Sequence, residues 1–145
     1  MKTKSFIIIA VAAISSLVSC DKKPSKDAQE FNTLFKEVIE VHDEVMPKME
    51  EMGKLSKELA AKIDTTTTDG VYQKALDSLT HANKEMMMWM KDFSDKFPYA
   101  KDRLKGKTED EIKESVAALK EEKKEVDAVK NHVNGSIENA KTVLQ

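Results

Sequence analysis

Phe35-Lys36-Glu37-Val38-Ile39-Glu40-Val41-His42-Asp43-Glu44-Val45-Met46-Pro47-Lys48-Met49 decides the fold, because its apolar residues return every three or four positions. Extended in both directions, the same period runs through Phe35, Val38, His42, Val45, Met49, Met52, Ser56, Leu59 and Ile63, with Phe31, Leu34 and Val41 widening the stripe. That spacing is one face of an α-helix, and it predicts a first helix over about 27–63. Pro47 sits in its interior. A proline there has no N–H for the Asp43 carbonyl and crowds it, so a kink is expected at that point.

Asp64-Thr65-Thr66-Thr67-Thr68-Asp69-Gly70 carries no apolar residue and reads as a hairpin loop that ends the first helix and caps the next. A second helix over about 70–97 places Tyr72, Leu76, Leu79, Met86, Met90, Phe93 and Phe97 on one stripe, and Pro98 stops it. After a connection over 98–107, Thr108-Glu109-Asp110-Glu111 is a capping box. The third helix, about 109–143, follows Ile112, Val116, Leu119, Val126, Val133, Ile137, Ala140 and Leu144. Lys123 and Lys130 lie on the same seam, and Asn134-Gly135 should weaken its last third. The lysines either snorkel at a bundle edge or mark where this helix leaves its neighbours. Three amphipathic helices with narrow apolar faces argue for an all-α, up-down-up three-helix bundle with coiled-coil-like packing over 27–145.

The N-terminus has a different character. Lys2 and Lys4 precede an apolar run from Phe6 to Val18 and small residues before Cys20, which is the layout of a signal peptide over 1–19. The run is shorter than the roughly 20 apolar residues needed to span a bilayer. Leu17-Val18-Ser19-Cys20 resembles the bacterial lipobox, and Cys20 is the only cysteine. The resemblance implies lipidation of Cys20 and cleavage before it. Residues 20–26 then form a lipidated cysteine and a polar tether, and the protein belongs to the cell envelope, on the periplasmic or outer face of a bacterial membrane.

The 24 basic and 26 acidic residues become 22 and 26 once residues 1–19 are removed, a net charge of −4. Such a domain has no electrostatic reason to bind nucleic acid or anionic headgroups. With one cysteine it has no internal disulfide, so packing alone must stabilise it.

Eight methionines are many for this length, and seven cluster as Met46, Met49, Met52, Met86, Met87, Met88 and Met90, around Trp89. Thioether and imidazole groups suit Cu(I), and an indole face attracts cations. At 100° per residue His42, Met46 and Met49 share a flank. A hairpin turning near residue 67 brings Met86 and Met90 towards them. These five are the candidate ligands of a Cu(I) or Ag(I) site. His81 and Met88 point away from the stripe, and His132 is expected well away in height from the methionines. The competing reading is core filling or an adaptable partner-binding surface, which methionine also serves, with His42 finding a carbonyl or carboxylate partner; the Asp43 carbonyl that Pro47 frees lies close by along the chain.

Catalytic constellations are absent from the sequence: no nucleophile and base to pair with His42, no glycine-rich phosphate loop, no His-x-x-x-His or Cys-x-x-Cys. The run Lys120-Glu121-Glu122-Lys123-Lys124-Glu125 reads as a solvated helix face. The expectation is therefore a non-enzyme, held to a membrane by acyl chains, that serves as an interaction or envelope-structural module through a protein partner or self-association.

His42-Asp43-Glu44-Val45-Met46-Pro47-Lys48-Met49, Met86-Met87-Met88-Trp89-Met90 and Lys120-Glu121-Glu122-Lys123 together resemble a family of small helical bacterial lipoproteins often labelled "viral A-type inclusion protein". The resemblance covers most of the chain after Cys20. It implies the lipoprotein class and a helical fold, and it brings no assigned activity.

Overall fold

The structure is a computed structural model that describes residues 24–63, 70–98 and 102–145. The expected signal peptide over 1–19, Cys20 and the expected hairpin loop over 64–69 lie outside the described residues. Four helices form: α1 (Lys26–Val45), α2 (Lys48–Ile63), α3 (Val71–Lys96) and α4 (Glu109–Leu144). They build the all-helical bundle the apolar periods predict. No helix among the described residues is long and apolar enough to cross a membrane.

Pro47 does more than kink the first helix. It divides it into α1 and α2. Met46 still donates to the His42 carbonyl at 2.9 Å, and Met49 then bonds the Met46 carbonyl at 3.2 Å, a tightened i to i+3 turn around the missing N–H. Upstream, Ser25 caps α1, its oxygen accepting from the Ala28 N–H at 3.2 Å, so the helix begins inside the expected tether.

Polar pairs fix the topology. Glu30–Lys120, Glu44–Lys130, Lys48–Asn134 and Glu51–Lys141 join α1 and α2 to α4 at a nearly constant difference in residue number, so these helices run parallel. Glu85–His132 and Lys96–Glu122 join α3 to α4 with one number rising as the other falls, so α3 is antiparallel. Up-down-up is the result. Lys123 and Lys130 sit half-buried at the bundle edge, on Asp127 and Glu44, and α4 passes Asn134-Gly135 unbroken.

Two details depart from the sequence reading. On α3 the buried line is Ala75, Leu79, Ala82, Met86, Trp89 and Phe93, while Tyr72, Leu76, Met90 and Phe97 are only partly covered. The stripe is rotated towards the alanines and Trp89 because the helix is flanked by two neighbours, and small residues let a backbone approach. The N-cap of α3 is Gly70, at φ 73°, with no side-chain cap bond. Gly70 can adopt that left-handed conformation at no steric cost, and this replaces the side-chain cap expected from the loop. The capping box of α4 is formed as expected: the Glu111 N–H donates to Thr108 Oγ1 at 3.3 Å, and the Thr108 N–H donates to Glu111 Oε2 at 2.7 Å.

Glu122 overturns the reading of its run as solvated. Its side chain is 1% exposed, and Oε1 accepts from Lys96 Nζ at 2.6 Å. Glu122 Oε2 has no hydrogen-bond partner among the described residues. The charge run hides this because α3 ends at Lys96, level with Glu122, and its last turn covers that one carboxylate.

Candidate functional site

Of the five expected soft-metal residues, Met86, Met49 and Met90 belong to or pack against the core, while His42 and Met46 are partly buried beside the Pro47 break. Met86 is fully buried, and Met49 and Met90 pack against the core cluster that contains it. Met46 lies partly buried in the turn before Pro47. Of the carbonyl or carboxylate partner expected for His42, it is a carboxylate that is found: Nδ1 lies 2.9 Å from Asp43 Oδ1. What faces its ring is aromatic, since the imidazole and Trp89 centroids are 6.0 Å apart. Trp89 Nε1 is buried and has no hydrogen-bond partner among the described residues. The imidazole, indole and thioethers of this layer are chemically able to hold a soft cation. They equally fill space, as methionine and tryptophan do in cores.

A second constellation lies on the opposite flank of α3, and sequence reasoning missed it. His81 and Glu85, one helical turn apart, meet His132 of α4. His132 Nδ1 is 2.7 Å from Glu85 Oε2, and His81 Nδ1 is 3.5 Å from the same oxygen. The imidazole centroids are 6.3 Å apart. One ligand atom from each of the three residues lies within 4.8 Å of the others. Both histidines are open to solvent, at 66% and 63% exposed, while Glu85 is half-buried between the helices.

The expectation that His81 points outward is correct. The expectation that His132 stands far from this level is not. A symmetric turn about the 98–107 connection would set Glu85 opposite a residue near 120. Instead α4 begins beyond the end of α3: Lys96 is level with Glu122, so the first three turns of α4 project past it. Residues 102–107 fold back along them. Lys107 Nζ donates to Ser115 Oγ at 3.0 Å, and the Arg103 guanidinium lies 3.9 Å from the Phe35 ring centre, a cation–π contact that ties the connection to the middle of α1. That offset carries His132 down to Glu85. The sequence signal was His81-x-x-x-Glu85, two ligand types on one face.

A groove beside the cluster is lined by Glu85, Met88, Trp89, Asp92, Glu125 and His132 among others, so three carboxylates share its wall with the imidazole. Such a groove raises the local concentration of cations.

No family model, no curated protein and no solved structure matches this chain.

Proposed function

We propose that the chain is a non-enzymatic helical module carried by acyl chains on Cys20 at the periplasmic or outer face of a bacterial membrane, where it serves as an interaction or envelope-structural element. The observation that carries the reading is a braced rod. α4 has 36 residues, about 54 Å at 1.5 Å per residue. α1 and α2 are tied along it by Glu30–Lys120, Glu44–Lys130 and Glu51–Lys141. A rigid body of that length on a short polar tether suits a spacer or scaffold. The lipobox-like Leu17-Val18-Ser19-Cys20 supplies the anchor, each buried CH₂ contributing about 0.8 kcal/mol. Net acidity offers no substitute for it.

Metabolic labelling with a fatty acid tests the reading. The full chain should take up label and stay with washed membranes, and Cys20→Ser should lose the label and keep the uncut length of the precursor. An unlabelled chain, or label that persists in Cys20→Ser, would contradict it.

The second reading is a Cu(I) or Ag(I) binder using His42, Met46, Met49, Met86 and Met90, favoured by the placing of His42 against Trp89 in a methionine-rich layer. Competition with a Cu(I) chromophore should then reveal one tight site that is lost in His42→Ala combined with Met46→Leu. Absence of competition ends it.

A further inference from the structure

We infer that His81, Glu85 and His132 form a binding site for a divalent, borderline-soft transition ion such as Zn²⁺ or Cu²⁺, one that clamps α3 to α4.

Donor chemistry comes first. Two imidazoles and a carboxylate are the set that suits Zn²⁺, Cu²⁺ and Ni²⁺, in contrast to the thioethers around His42, which suit Cu(I). Three protein ligands leave a coordination position for water or for a partner's side chain.

The geometry is close to what such an ion requires. With bonds of about 2.0–2.1 Å, ligand atoms around a tetrahedral centre stand roughly 3.3 Å apart. Glu85 Oε2 already stands 2.7 Å from His132 Nδ1 and 3.5 Å from His81 Nδ1. All three ligand atoms fall within 4.8 Å of one another. Both imidazoles are exposed, so side-chain rotation can complete the site without moving a backbone. The ligands stand on α3 and α4 well inside both helices, which holds their spacing.

An ordinary surface ion pair accounts for less of this arrangement. An exposed His132–Glu85 pair contributes little stability and needs one histidine. Here two imidazoles converge on one carboxylate oxygen. Asp92 and Glu125, lining the adjoining groove with Glu85 and His132, add negative charge that favours a cation.

The test uses the full chain in detergent, purified without a polyhistidine tag, and Zn²⁺ alone in competition with a chromophoric chelator. One equivalent should bind. His81→Gln and His132→Gln should each weaken binding at least about tenfold, since losing even a ligand's hydrogen-bonding partner costs about 10- to 100-fold. His42→Gln should bind as the wild type does. Zn²⁺ should also raise Tm in the wild type and not in His132→Gln, which reports the clamp. Cu²⁺ should quench Trp89, the single tryptophan, which lines the groove with Glu85 and His132. The inference is overturned by no Zn²⁺ binding, by equal binding in the His81 and His132 variants, or by a site that disappears in His42→Gln. Because both substituted histidines are solvent-exposed, each variant is expected to keep the wild-type helical circular dichroism. The His42 control separates this site from the soft-metal reading.

Discussion

The two ends of the bundle are packed on different principles. At the loop end α2 lies against α3, with Ala75 and Ala82 fully buried on α3. At the other end no Cα of α1 comes within 8 Å of a Cα of α3, and the space between them is filled by rings. Phe31, Phe35, Phe93 and Phe97 form one cluster there, with Phe35–Phe93 centroids 5.6 Å apart and Phe93–Phe97 5.3 Å apart, and Trp89 stacks on Phe93 at 5.1 Å. Pro47 falls at the change from one regime to the other. The proline break lets α2 lie close to α3 while α1 takes a separate course along α4. Side-chain volume thus sets helix spacing, and the break accommodates it.

The comparison breaks most visibly at the wide end. Phe93→Ala should cost about 3–5 kcal/mol, since the rings around it are held apart by backbones that cannot collapse; urea unfolding measures this, and a cost under 1 kcal/mol would mean the end closes up. Next comes the buried acid at the end of α3. Lys96→Met leaves the Glu122 carboxylate without a partner and should cost about 1–3 kcal/mol, and adding Glu122→Met should recover most of that loss. The hydrogen bond to Glu122 holds the Lys96 pKa above its ordinary 10.5. Its contribution is therefore fully present below 10.5 and is lost as pH rises through the folded value. An alkaline stability scan should show that loss in the wild type and not in Lys96→Met.

At the close end the error has the opposite sign. Ala82→Leu inserts volume where the helices already touch and should cost about 1–3 kcal/mol, whereas a bundle of even spacing would absorb it. Smallest is the cap. Thr108→Ala should cost about 1 kcal/mol. The Thr108 backbone N–H, and then its hydroxyl, hold the Glu111 pKa below 4.5, so that contribution is present above 4.5 and is lost as pH falls through the depressed value. Glu111→Gln should flatten this acid limb, measured as Tm against pH.

The helices, the break position and the α4 cap were legible because each rests on local chemistry: a 3.6-residue period, a missing N–H, a threonine with glutamate three positions on. What was not legible depended on the offset between α3 and α4. Glu122 looks like any other member of its charge run until the last turn of α3 lies over it. His132 looks remote until α4 is seen to start well past the end of α3, and then it meets Glu85. The aromatic partner of His42 was not legible: it is Trp89, because α3 is rotated towards its alanines. Local patterns mark helices, and the relative slide of two helices is set by the sum of their packed surfaces.

The unequal ends are tested most directly by a nuclear Overhauser spectrum of the full chain in detergent. Close packing of α2 on α3 predicts contacts from the methyls of Ala75 and Ala82 to α2 backbone protons, with α1 and α3 linked through side-chain protons, those of the aromatic rings among them. Backbone-to-backbone contacts between α1 and α3, or their absence between α2 and those alanines, would contradict the account.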